Sequence, residues 1–149
     1  MRCGRAKSSM KDSEREAKRW FLQAADDFKF VQWMLKEGVF FDKGCFVAQQ
    51  AGENALKSCL YGTGKRRVIG HALLEMINEL IGIDKEFVKL QGQAKRLDRF
   101  YITTRYPNGL PGGSPFQYYT KNDLAEATGD LKTIFEVSRR FLLKNGLNS

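Results

Sequence analysis

The chain has 149 residues, 42% of them hydrophobic, and a formal net charge of +8. That length suits one domain with a sizeable core, and that hydrophobic content excludes a disordered chain. No stretch approaches the roughly 18 apolar residues of a membrane span, the N-terminal residues lack the apolar run expected of a signal peptide, and the basic balance favours acidic partners: RNA, DNA, nucleotides or an acidic protein.

Half of the excess charge lies in Met1–Arg19, which carries seven basic and three acidic residues. Residues 1–12 read as a flexible basic segment, with Met10 as an alternative start, and residues 13–146 read as a single helical domain. Ser13-Glu14-Arg15-Glu16 has the S-x-x-E form of a capping box. Ala17, Trp20, Phe21, Ala24, Phe28, Val31 and Leu35 follow mostly at three- and four-residue spacing, which predicts an amphipathic helix ending at Gly38.

The second helix covers the stretch Phe40–Tyr61, with Asp42 as its expected N-cap. Gly44, Ala48, Ala51, Gly52, Ala55 and Cys59 form a stripe of small side chains that lets another helix approach closely. Two glycines inside a helix cost roughly 1 kcal/mol each, so packing must offset them. Phe46, Leu56 and Leu60 add apolar anchors, and Gln49, Gln50, Glu53 and Lys57 form a polar set on the same turns. Cys3, Cys45 and Cys59 are odd in number, with no C-x-x-C pair. Together with a single histidine they argue against a structural zinc site and for a reducing, cytoplasmic setting.

Tyr61–Gly70 reads as a basic glycine-containing loop. Its Gly64-Lys65 is not a P-loop, because the first glycine of that motif falls at Cys59 and its Ser/Thr at Arg66. His71–Ile81 predicts a short third helix begun by His71. Asp84 is the expected cap of a fourth helix, with Phe87, Leu90, Ala94, Leu97 and Tyr101 buried, and it must end near Arg105 because Pro107 disfavours the α region at Tyr106. Tyr106–Tyr119 holds all three prolines and reads as a long loop. Thr120-Lys121-Asn122-Asp123 resembles a second capping box. Leu124, Ala127, Leu131, Ile134, Phe135 and Leu142 mark the last helix, which Gly146 ends, and Ser138 is the one small polar residue on its stripe. Five amphipathic helices without a strand predict an all-α, mostly antiparallel bundle.

These residues carry a family resemblance. Trp20, Gln23-Ala24 and Asp27 lead to AQQAGENALK (Ala48–Lys57), then His71-Ala72-Leu73, Ala94, and LDRFYITTRYP (Leu97–Pro107). In order and spacing this pattern is similar to a HEPN domain, over roughly Ala17–Phe141. The resemblance implies a five-helix up-and-down bundle, usually a homodimer, often partnered with a small nucleotidyltransferase. Many members are RNA-cleaving toxins, and others are proposed to bind nucleotides. Ribonuclease members carry Arg, four to six residues, then His. Here Arg105 is followed at those spacings by Leu110, Pro111 and Gly112, and the only histidine, His71, lies upstream.

Without that imidazole, no residue of the loop has an ordinary pKa suited to proton transfer near neutrality. Arg105 beside Tyr106 is still a pair that can bind a phosphate and stack on a base. Tyr101 and Asp98 lie one and two turns earlier on the same side, and Asp98 is expected to orient Arg105 or Arg99. Lys57, Gln50 and Glu53 of the second helix complete the expected phosphate- or nucleotide-binding set; no catalytic residue, cofactor or metal is assigned. Three readings follow. The leading one is a dimeric, non-catalytic module that binds a nucleotide or RNA phosphate beside a nucleotidyltransferase partner. The alternatives are a divergent metal-independent ribonuclease and a helical interaction module with no small ligand.

Overall fold

Apolar residues at helical spacing build every main element of the computed structural model, which describes residues 2–147, with side chains from Met10 onward. The first helix, α1, runs Arg2–Glu37 and buries Ala17, Phe21, Ala24, Val31 and Met34. Its start differs from the expected one. Ser13 lies inside the helix, and its hydroxyl donates to the Lys65 carbonyl at 3.0 Å. No proline precedes it to stop the helix. Glu16 closes no capping box; it accepts the Trp20 indole N–H at 3.2 Å and pairs with Arg19. The end is as expected: Gly38 has φ 69, and its N–H donates to the Met34 carbonyl at 2.9 Å.

A three-residue link turns the chain back into α2, Phe41–Gly62, so the two helices pack as antiparallel neighbours. Asp42 is not the cap of α2. Phe40 holds that position in the left-handed region at φ 53, and Asp42 sits in the first turn, 3.1 Å from Lys43 Nζ. There its charge still complements the positive end of the helix dipole. The small stripe is wholly buried. A Cβ on Gly44 falls 2.6 Å from Leu124, and one on Gly52 falls 2.7 Å from Leu73. Close approach within the subunit therefore explains both glycines.

Helix α3 spans Leu73–Ile81, so His71 stands two residues before it. The fourth helix expected from the sequence is divided into a 3-10 turn at Lys85–Leu90, α4 at Gln91–Asp98 and α5 at Phe100–Thr103. Asp84 caps the first piece, accepting the Glu86 N–H at 3.0 Å. Near the break, the Thr103 hydroxyl donates back to the Arg99 carbonyl at 2.7 Å and Thr104 donates to that of Phe100, a pattern that bends helices. Tyr106 is extended before Pro107, as a pre-proline residue should be.

The long loop is less irregular than its composition predicts. It contains a 3-10 turn at Pro107–Gly109 and α6 at Pro115–Tyr118. The signal for α6 is present in the sequence: proline in the first turn after Ser114, and Gln117, whose side chain accepts the Ser114 N–H at 2.9 Å. Helix α7, Lys121–Lys144, opens on the expected box, with Asp123 accepting the Thr120 N–H at 2.8 Å, and ends before Gly146 at φ 83. An Arg96–Asp130 fork, at 2.9 and 2.8 Å, ties α4 to α7.

The fold is an all-α bundle with no strand among the described residues. It has seven α-helical segments where five were expected, because the fourth is divided and α6 is added. Helix α2 is central, packing on α1, α3 and α7. Burial pushes the Cys45 and Cys59 thiols up to about 12, so both act as small apolar residues. No helix among the described residues is long and apolar enough to cross a membrane.

Candidate functional site

The candidate site forms where the end of α5 meets the start of α2. Arg105 follows α5, and its Nε donates to the Tyr101 carbonyl at 3.0 Å. This bond turns the guanidinium back over three rings: Phe46 at 4.6 Å, Tyr101 at 4.8 Å and Tyr106 at 5.1 Å from the ring centroids. Arg105 is exposed, and among the described residues no carboxylate pairs with it. A cation held by aromatic faces and left without a counterion keeps its in-plane N–H donors for an incoming anion.

A solvent-open cavity of about 290 Å³ adjoins it, lined by Asp42, Lys43, Phe46, Thr104, Arg105, Pro115 and Phe116. Helix α6, in the stretch whose composition reads as a long loop, supplies one wall. Lys43 brings a second cation to the rim, partly neutralised by Asp42. Phe46 was legible only as an apolar anchor, and Lys43 and Phe116 were not singled out. Their role depends on α2 and α6 meeting at this corner.

A second polar group lies along α2. His71 Nδ1 is 2.7 Å from Glu53 Oε1, and Glu53 is 3.7 Å from Lys57 Nζ. This short contact pairs the imidazole with the Glu53 carboxylate. The His71 ring stacks on Tyr101, with centroids 5.0 Å apart and planes inclined by 19°. Tyr101 therefore packs against both His71 and Arg105. Sequence position left open whether these two residues meet, and the folded chain brings them to one ring. Gln49 holds the approach to α3 by donating to the His71 carbonyl at 3.0 Å.

The other expected site residues are placed differently. Asp98 orients neither Arg105 nor Arg99. Its carboxylate accepts the N–H groups of Leu73 at 2.8 Å and Leu74 at 3.1 Å, capping α3 from α4. The reason is geometric: the α3 N-terminus lacks a side-chain cap of its own, and α4 packs beside it. Burial raises the Asp98 pKa, those two donors lower it in part, and Glu75 adds to the rise. Lys57 is buried, with Nζ 5.0 Å from the Trp20 ring centroid, three turns along α2 from Phe46. It does not line the cavity at Arg105. Gln50 is exposed and outside that cavity. Farther along, Asn54 and Gln23 donate to Asp27 at 3.0 and 2.9 Å, and burial raises the Asp27 pKa. No group of three or more potential metal ligands converges among the described residues.

A family model described as the HEPN domain matches residues 17–141. Among solved structures, TT1696 from Thermus thermophilus is 32% identical, with 85% of this chain and 98% of that one covered and a TM-score of 0.76. ST0689, described as an archaeal HEPN homologue, is 25% identical, covering 83% of this chain and 95% of its own with a TM-score of 0.68. None of the curated proteins compared with the sequence matches it. The match over most of the chain, with the motif-bearing helices arranged as a bundle, shows that the chain belongs to the HEPN domain family.

Proposed function

We propose that the protein is a non-catalytic, dimeric HEPN module of the cytoplasm that binds a nucleotide or RNA phosphate at Arg105, beside a nucleotidyltransferase partner as in toxin–antitoxin pairs. The observation that carries the ligand reading is the exposed Arg105 guanidinium, stacked among Phe46, Tyr101 and Tyr106 and without a carboxylate partner among the described residues. Its donors suit a phosphate, and the exposed ring of Tyr106 suits a base. Net charge +8 favours the approach of such polyanions. The partner and the dimer rest on the family resemblance.

Calorimetry with ATP, GTP and a short single-stranded RNA tests the site. Wild type is expected to bind at least one of them weakly, and Arg105→Ala is expected to lose about tenfold or more. A charge-assisted hydrogen bond contributes about 1.5–3 kcal/mol, and 1.4 kcal/mol is tenfold. No heat for any ligand, or equal binding by a folded Arg105→Ala variant, counts against the site.

One observation favours the ribonuclease alternative: the Glu53-paired His71 imidazole shares the Tyr101 ring with Arg105. An imidazole for the 2′-hydroxyl proton and a cation for the phosphorane are two parts of that chemistry. In the leading reading, purified protein leaves a structured RNA intact. Cleavage that His71→Ala and Arg105→Ala each abolish would instead establish the alternative.

A further inference from the structure

The cavity beside Arg105 holds one polar group that phosphate binding does not use. Asp42 lines it, with a side chain only 6% exposed. A buried carboxylate ordinarily accepts several hydrogen bonds, because its two oxygens offer about four lone-pair sites. Among the described residues Asp42 has a single donor, Lys43 Nζ, at 3.4 and 3.1 Å from the two oxygens. That donor is its own chain neighbour, on a flexible side chain 59% exposed, so it is free to turn toward an arriving anion. The other lining groups do not satisfy Asp42. Phe46, Pro115 and Phe116 are apolar, and Thr104 donates its hydroxyl to the Phe100 carbonyl. Arg105 shares the cavity but forms no ion pair with Asp42. An unpaired cation and an under-satisfied carboxylate thus line one space of about 290 Å³ without neutralising each other.

We infer that this cavity selects guanine, with Asp42 reading the base while Arg105 holds the phosphate; the inference rests on the phosphate reading above and names the ligand class of the same site. A carboxylate sets two acceptor oxygens side by side, so it selects a ligand with two adjacent N–H donors. Guanine has them: its Watson–Crick edge carries a ring N–H next to an amino group. Adenine and cytosine set a ring acceptor nitrogen beside their amino groups, and each turns that lone pair toward one carboxylate oxygen. Uracil has one ring N–H between two carbonyls. Only guanine satisfies both Asp42 oxygens, and a buried polar group left unpaired is what makes such a site reject the wrong ligand. The rings of Phe46 and Phe116 offer faces for a purine, Phe116 being 65% exposed. Lys43, displaced from Asp42 by the base, becomes a second cation for the phosphate. The edge read is the same in a free guanine nucleotide and in a single-stranded RNA.

Calorimetry on wild type with GTP, ATP and two RNA pentamers, UUGUU and UUAUU, tests this. Wild type is expected to bind the guanine member of at least one pair more than tenfold tighter, and the pair that discriminates names free nucleotide or RNA as the source. Asp42→Asn keeps the shape but replaces one acceptor oxygen by an amide donor. It is expected to lose that preference and to favour the same ligand carrying xanthine, which has a carbonyl where guanine has its amino group. A gain for xanthine cannot come from a damaged fold, and if the variant does not fold, the wild-type comparison decides alone. Binding by wild type without base preference, or an unchanged guanine preference in a folded Asp42→Asn variant, overturns the base reading and leaves the phosphate site standing. No binding of any of the four ligands overturns both.

Discussion

Gly52→Leu is expected to lower stability by about 3 kcal/mol and the melting midpoint by roughly 6–12 °C. The motivation is the close approach of α3 and α4 to the middle of α2. A Cβ on Gly52 already falls 2.7 Å from Leu73 Cδ2 and 3.6 Å from Leu97 Cδ1. Both leucines are fully buried, so neither can swing into solvent to make room. Alanine gains about 1 kcal/mol in helix propensity, but its Cβ meets the same buried Leu73, so Gly52→Ala is expected to destabilise as well, by less than leucine does. Leucine adds three more carbons where α3 and α4 already fill the space, and overpacking dominates. Thermal unfolding of both variants checks this, and a leucine variant that melts with wild type sinks the packing argument. The loss should appear in folding and not in association, because the stripe faces the chain's own helices.

Asp98→Ala is expected to cost about 2 kcal/mol. It leaves two N–H groups at the start of α3 without an acceptor, and no neighbouring residue of α3 replaces it. The cost stays below two full charge-assisted bonds because burial already penalises the ionised carboxylate. Asp98→Asn keeps one acceptor oxygen and is expected to lose less than half as much. Hydrogen exchange gives the residue-level check: the Leu73 and Leu74 amides should lose protection first in the alanine variant. Unchanged exchange there would show that the cap is not what holds α3. This carboxylate also matters to the site at one remove. It fixes the start of α3, two residues from His71, and hence the imidazole that stacks on Tyr101.

Helix periodicity, the αL glycines Gly38 and Gly146, and the Thr120–Asp123 box were legible in the sequence because each depends on residues within a few positions of one another. So was Tyr106, extended by the steric demand of Pro107. The small stripe of α2 announced close packing, and the family pattern announced the bundle. What failed were local signals overruled by distant partners. Ser13 has the form of a cap, yet its hydroxyl is taken by Lys65, 52 positions away. Asp42 has the form of a cap, yet the chain reverses at Phe40 and carries it into the first turn. Asp98 lies on the helical face of Arg105, yet α3 packs alongside and takes its carboxylate.

The site shows the same division. Sequence by itself determined that Arg105 and Tyr106 stand at a helix end beside a long loop, since covalent neighbours stay neighbours. Only the tertiary structure decided that Phe46 flanks the guanidinium, that α6 walls the cavity, and that Lys57 is sealed under Trp20. It also decided that His71, 34 positions from Arg105, reaches the same tyrosine. Contacts between separate helices depend on how each is rotated and where it breaks. Core packing sets that rotation, and the fourth helix breaks at Arg99, beside the carbonyls that the hydroxyls of Thr103 and Thr104 bind.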